Sequence, residues 1–309
     1  MSGSGPAPEP YLEEVAPGIW AYIQPDGSWY LNNSAFLVGA DGVVLVDTTS
    51  TEKRSRALLS AIGSVTDRPV RTLVNTHHHG DHSHGNWLLP QATIIGHHQC
   101  RTEMVAAGLL GTLLFPDVEW GQIEVTPPFV TFQERLTVWV DDLEVQLVHF
   151  GTPAHTTNDV VAFIPSRSLL LSGDLVFNGG FPLVMQGSVA GSLQVLDALR
   201  SLDAERIVPG HGPVCEPDVL DGLERYYRFL ADVAAEGVAA GWPPLEAARR
   251  RRDDLVGQFP GWGEVERLPA NLHRAYSEAR GEPLGTPLDL GAAVGDMIAF
   301  NDGPPHCLA

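Results

Sequence analysis

Short apolar runs separated by polar turns dominate the first two thirds of the chain, and helical periodicity takes over afterwards. Residues 1–16, Gly/Ser/Pro-rich at the start, read as a flexible N-terminal tail. Residues 19–23, 34–38 and 43–47 are β-rich, and Ala40-Asp41-Gly42 predicts a hairpin turn between the last two. Ala57, Leu58, Ala61 and Ile62 recur at helical spacing, which predicts a helix over about 51–62 with its cap among Thr48, Thr49 and Ser50. Residues 71–76 form the next strand. Strand, helix, strand in this order indicates an α/β layered architecture.

After a polar turn, 92–96 reads as a strand, 99–108 as a helix and 109–128 as irregular. A second β-rich half follows, with runs at 130–132, 136–140, 143–149, 160–164 and 169–171. Leu193, Leu196 and Leu199 predict a helix over 191–202, ahead of a short strand at 207–208. From Pro217 the pattern is mostly helical, at 219–240, 244–254 and 270–280. Residues 281–309 are Gly/Pro-rich with an apolar patch at 288–300, expected to form a lid or a wrapped strap.

With 309 residues and 44% hydrophobic content, the chain can bury a substantial core. A formal charge of −19 opposes attraction to phosphate backbones, so nucleic acid is not an expected partner. In so acidic a chain the run Arg249 to Arg252 reads as a solvated, ion-paired helix face. Cys100, Cys215 and Cys307 are too scattered for a disulfide framework and read as buried thiols. Neither signal-peptide regions at the start nor an apolar run near the ~20 residues of a membrane helix is present. The expectation is a soluble, cytoplasmic protein with no membrane partner.

Chemistry concentrates in Asn75-Thr76-His77-His78-His79-Gly80-Asp81-His82-Ser83-His84-Gly85-Asn86. Alternate residues on an extended strand exit point the same way, so His77 and His79 can grip one ion. Asp81 and His82 can reach a second once the chain bends at Gly80. The bland alternative is a chance cluster that scavenges metal, but imidazole and carboxylate together suit borderline divalent ions such as zinc. Three later turns add single donors: His155 in Gly151-Thr152-Pro153-Ala154-His155, Asp174 in Ser172-Gly173-Asp174, and His211 in Pro209-Gly210-His211-Gly212. Each alone is an ordinary loop residue. Each also follows an apolar strand, so all could converge at one sheet edge.

Taken in order, HxHxDH, Gly-x-x-x-His, Ser-Gly-Asp and Pro-Gly-His-Gly resemble the metallo-β-lactamase superfamily over about residues 17–215. The resemblance implies an α/β fold of the αββα sandwich type, with residues 216–309 as a helical C-terminal extension and strap. It also implies two zinc ions per chain, with iron or manganese as the other candidates. Position by position, His77, His79 and His155 would hold one ion, Asp81, His82 and His211 the other, and Asp174 would bridge them. Asp81 and Asp174 would be the catalytic carboxylates. β-Lactamases of the superfamily carry Cys or Ser where Asp174 stands, so antibiotic hydrolysis is disfavoured. Cys215, four residues beyond His211, does not match that ligand. Nor is there the large insertion that the superfamily's nucleases carry. His84 stands where many relatives have glycine, and reads as a supporting or surface group.

The His motif, Gly187-Ser188-Val189-Ala190-Gly191-Ser192, Pro209 to Val214 and Ala270-Asn271-Leu272-His273-Arg274-Ala275-Tyr276 are similar to aromatic polyketide cyclase/thioesterases of the actinorhodin second-ring type. That branch implies ring closure by intramolecular aldol condensation of a polyketide thioester on acyl carrier protein, with thioester hydrolysis at the same centre. Phe115, Trp120, Phe177, Phe181, Leu183, Met185 and the C-terminal strap are candidate walls of its pocket, with plain core as the commoner role for each such residue. A general ester, lactone or small-thioester hydrolase is the alternative; a carrier-docking protein with structural metals is a further one.

Overall fold

The computed structural model describes residues 8–309. Residues 1–7 of the expected tail lie outside the described residues. From Tyr11 the chain is already strand: β1 (Tyr11–Ala16) pairs antiparallel with β2 (Ile19–Ile23) through a turn at Gly18, whose φ is 73°. The tail therefore ends earlier than its local sequence indicates, because Val15 is buried between the sheets and Glu13 pairs with Arg206, far away in the chain.

β3 (Ser34–Val38) and β4 (Val43–Val46) extend the antiparallel meander. α1 (Glu52–Val65) then crosses over to β5 (Val70–Val74), parallel to β4. A single helical turn, α2 (Gly80–Ser83), follows, and β6 (Thr93–His97), α3 (His98–Ala107) and β7 (Val130–Phe132) complete a sheet of seven strands in chain order. The second sheet runs β8 (Arg135–Val140), β9 (Leu143–Val148), β10 (Val161–Ile164) and β11 (Leu169–Phe177), all antiparallel. α4 (Val189–Arg200) returns the chain to β12 (Arg206–His211), which lies parallel beside β11.

β4 shows why the sheets stack. All four residues are buried: Val44 and Val46 face the other sheet's Val145, Leu147 and Leu171, while Val43 and Leu45 meet Leu58 and Ile62 of α1. Cover on both faces produces the near-continuous apolar run. The outer face of the second sheet, including Phe163 and Leu170, is covered by Leu196 and Leu199 of α4 and by α5 (Val219–Ala240), α6 (Pro244–Gln258) and α7 (Arg267–Ala279). In α5 the buried stripe Leu220, Leu223, Tyr227, Leu230, Ala234 keeps the 3.6-residue period. The layers are thus helix, sheet, sheet, helix.

Several local expectations shift. The cap of α1 is Thr51, whose hydroxyl accepts Arg54 N–H at 3.2 Å, a contact worth about 1 kcal/mol. Thr48 instead binds Asn86 and the His82 carbonyl. The apolar patch expected as a lid or a wrapped strap is helix α8 (Leu290–Phe300), capped by Asp289, with Ala293 and Met297 packed against Trp29, Phe115 and Leu183. Cys100 is buried, but Cys215 and Cys307 are only partly so, and all three are free thiols. Arg250 and Arg251 pair with Glu246, Glu236 and Asp254. No helix among the described residues is long and apolar enough to cross a membrane.

Candidate metal centre

The ends of β4, β5 and β12, an inner stretch of β11 and the loop after β9 meet at one edge of the two sheets. β5 runs out into Asn75; His77 then sits in a bend over 76–78 rather than on the extended exit the sequence suggests, His79 is extended, and α2 turns the chain so that Asp81 and His82 face the same space. His155 comes from the loop between β9 and β10, Asp174 from within β11 and His211 from the end of β12. Parallel pairing of the last two strands brings Asp174 Oδ2 within 3.4 Å of His211 Nε2. This approach needs a glycine at 210, since a Cβ there would lie 1.9 Å from Asp174 Oδ1.

All seven side chains singled out by spacing meet here, in two groups that share Asp174. His77, His79, His155 and Asp174 form one; Asp81, His82, His211 and Asp174 form the other; donor atoms within each lie within 4.8 Å of one another. His155 Nε2 sits 2.9 Å from His79 Nδ1 and 3.2 Å from Asp174 Oδ2. His82 Nε2 lies 3.0 Å from Asp174 Oδ1, and His211 Nε2 3.2 Å from Asp81 Oδ2.

The outward nitrogens are tied to protein acceptors. His82 Nδ1 donates to Asp47 Oδ2 at 2.8 Å, His79 Nε2 to Gln186 Oε1 at 2.9 Å and His211 Nδ1 to the Gly27 carbonyl at 2.9 Å. Each bond fixes a tautomer whose remaining lone pair points inward. Asp47 also accepts the Thr76 amide and hydroxyl, at 2.7 and 2.6 Å, so one buried carboxylate positions both the strand exit and His82. Inside the centre, buried His77 Nε2, His82 Nε2 and Asp174 Oδ1 have no hydrogen-bond partner among the described residues. Buried donors and acceptors are rarely left so. Converging lone pairs of imidazole and carboxylate fit divalent metal.

The charges agree. Burial, then its histidine neighbours, keeps His77 well below the usual imidazole range, and burial pulls His155 down to about 3. Both are neutral, the ligand form. Burial alone would raise Asp174, but His82, His211 and His155 outweigh it and hold the carboxyl well below its normal range. Burial likewise opposes protonation of His211, yet Asp174 and Asp81 push it up to about 9. The carboxylates thus demand positive charge, which a cation would supply in place of those protons.

Asp47 and Gln186 went unnoticed in the sequence as site residues. The one available signal for Asp47 was a carboxylate closing the apolar run Val43-Val44-Leu45-Val46; Gln186 carried none. His78 is not with the donors: its Nδ1 faces Asn158 at 3.0 Å. His84 lies outside both groups, with Nδ1 on the Ser50 carbonyl at 3.0 Å and its ring on a cavity wall. That cavity, about 830 Å³, opens onto His79, Asp81, His155, Asp174 and His211. Phe115, Phe177, Leu183 and Met185 line it, as do Leu290, Val294 and Ile298 of α8. Phe181 does not, because it packs in an aromatic cluster with Tyr226, Phe259 and Trp262. Trp120 stands behind the wall, edge-on to Tyr30 at 4.9 Å.

Among known proteins, a linear primary-alkylsulfatase of a Pseudomonas species is 22% identical over 300 residues, covering 81% of this chain and 56% of the relative. A hydroxyacylglutathione hydrolase of a Synechococcus species is 28% identical over 190 residues, covering 55% of this chain and 64% of the relative. The chain therefore spans less than two thirds of either relative's length. A metallo-β-lactamase from Pontibacter korlensis shares the fold, with a TM-score of 0.59 and 18% identity over 71% of this chain and 99% of that one. The family profile described as the Metallo-beta-lactamase superfamily matches residues 27–211, the stretch that holds all seven candidate ligands, and the chain belongs to that superfamily.

Proposed function

We propose that the protein is a two-zinc enzyme that closes a ring in a carrier-bound aromatic polyketide thioester by intramolecular aldol condensation, with thioester hydrolysis open to the same centre. The observation that carries this reading is the cavity: about 830 Å³, walled mainly by apolar and aromatic side chains, it suits a bulky fused-ring substrate. The segments similar to polyketide cyclases help build it. Asn271 accepts the Val184 amide at 2.7 Å and donates to the Pro182 carbonyl, and Arg274 binds the Met185 carbonyl. Together they hold the loop that presents Leu183, Met185 and Gln186.

A bound pair of divalent ions would act as Lewis acids toward a carbonyl and lower the pKa of a water from ~15.7 toward ~7. The chain's own residues orient and exclude. Asp47, Gln186 and the Gly27 carbonyl keep three imidazole lone pairs aimed inward, while the apolar walls hold two substrate carbons together away from bulk water. Well-oriented groups react with effective molarities of ~10⁵ M or more, so wall shape decides which carbons join. Asp81 and Asp174 are the carboxylates of the centre that open onto the cavity, where they would hold the ions beside the reacting carbonyl while the proton that leaves the nucleophilic carbon passes to a water-derived base. The new bond forms between that carbon and a ketone carbon, the ketone oxygen takes up a proton, and loss of water gives the aromatic ring.

The second reading is a metal-dependent ester, lactone or thioester hydrolase, favoured by the hydroxyacylglutathione hydrolase among the relatives. Incubation of the zinc-loaded protein with an N-acetylcysteamine thioester of a bicyclic poly-β-ketone, followed by mass spectrometry, separates the two. Ring closure gives a product lighter by one water with the thioester retained or subsequently cleaved. Free acid and thiol with no ring formed would overturn the cyclase reading in favour of the hydrolase.

A further inference from the structure

Tyr30 lies in the loop between β2 and β3, well away in sequence from every candidate metal ligand, yet its side chain lines the cavity. Its backbone sits at φ 61°, in the left-handed region that a bulky side chain rarely adopts. Such conformations persist where the surroundings over-determine them, and they cluster at functional sites. The surroundings here are aromatic. The Tyr30 ring meets Trp120 edge-on at 4.9 Å and Phe115 edge-on at 5.4 Å, and stacks on His84 at 6.2 Å.

This box holds the ring and leaves the hydroxyl directed at Gly111, a fellow lining residue of the cavity. Space around it comes from Gly111, also on the cavity wall: a Cβ there would lie 2.5 Å from the hydroxyl oxygen but 3.9 Å from the ring carbon that bears it. Gly111 needs no positive φ, so its missing side chain matters for room rather than for backbone freedom. A strained loop residue, a rigid aromatic mount and a glycine that makes way for the hydroxyl on the cavity wall describe a group kept for something absent from the protein itself.

We infer that the Tyr30 hydroxyl is a substrate-binding group that hydrogen-bonds an oxygen substituent of a fused-ring aromatic ligand, fixing its orientation in the cavity. This rests on the proposed function only for the class of ligand. The phenol is suited to donate, because burial and then the Asp81 carboxylate raise its pKa and keep it protonated. It deepens the reading of the site by naming what turns the substrate: the metals would take one carbonyl, while Tyr30 selects which ring oxygens stand opposite.

The test is binding, not turnover. The zinc-loaded protein is titrated with 2,7-dihydroxynaphthalene and with naphthalene, followed by ligand fluorescence. Tyr30→Phe should weaken the diol about 3- to 10-fold, the range for one lost hydrogen bond, and leave naphthalene within twofold. Gly111→Ala should weaken the diol similarly in the wild-type background, yet have no further effect on Tyr30→Phe, where the oxygen it would strike is gone. Zinc content and melting temperature of each variant establish that the fold is kept. Equal losses for both ligands, no loss for either, or additive effects of the two substitutions would overturn the inference. Failure of the polyketide thioester to cyclise is a separate result, since neither probe is turned over.

Discussion

Asp47→Asn tests the geometry of the centre most sharply without touching any candidate ligand. Asp47 Oδ1 accepts the Thr76 amide at 2.7 Å, and Oδ2 accepts both the Thr76 hydroxyl at 2.6 Å and His82 Nδ1 at 2.8 Å. An asparagine of the same shape must turn an NH₂ toward one of those donors. If it faces His82, the imidazole proton has to move to Nε2, the atom 3.0 Å from Asp174 that would bind the ion. If it faces the Thr76 amide, two N–H groups confront each other in a buried place. Groups that orient ligands in this way are worth 10- to 100-fold in metal affinity, or about 1.4–2.7 kcal/mol. Zinc bound per chain, measured over a series of chelator-buffered zinc concentrations, should show one of two ions lost at 10- to 100-fold higher free zinc than in the wild type. The melting temperature of the zinc-free form reports that the fold survives. Two ions bound with wild-type affinity would refute the role given to Asp47.

Gly210→Ala should expel Asp174 from its position, because the new Cβ would lie 1.9 Å from Oδ1; both ions should be lost and stability should fall by about 1–3 kcal/mol, read by zinc content and denaturant unfolding. Val294→Trp on the cavity face of α8 should reduce ring closure of a bulky thioester more than tenfold while hydrolysis of a small thioester changes less than threefold; parallel loss of both would show that the cavity does not select by size. His97 stacks on His149 at 4.1 Å beside His98, and burial, then these neighbours, pulls it down to about 4. A folded pKa below the unfolded value near ~6.5 gives stability present above that pH and lost as pH falls through about 4. The melting temperature should therefore fall by several degrees between pH 7 and pH 4, and His97→Phe should flatten that fall; an unchanged slope would exclude His97 as its source.

What could be read from the sequence was local and periodic. The strand runs, the helical stripe of 219–240 and the HxHxDH spacing each depend on neighbours a few residues apart; His77, His155 and His211 are recognisable because each follows an apolar run, whereas Asp174 lies inside β11 and not in a turn after residues 169–171. What escaped depends on partners far along the chain. β1 hid in an apparent tail because its support, Arg206, is some two hundred residues away. The apolar patch at 288–300 leaves a lid or a strap open in the sequence; its helical form follows from the face it shows to Trp29 and Phe115, contacts that no local pattern announces. Phe181 takes the core role rather than the pocket role, a choice made by its aromatic neighbours on α5 and beyond α6. Asp47, Gln186 and Tyr30 act through hydrogen bonds, packing and exposure set by the fold, so residue type alone could not single them out.

Anomalous scattering at the zinc edge, from crystals of the protein loaded with zinc at neutral pH, tests the central claim most directly. Two peaks are expected, one among His77, His79, His155 and Asp174, the other among Asp81, His82, His211 and Asp174. No peak at this edge of the sheets, with the seven side chains bonded to one another or to water instead, would contradict it.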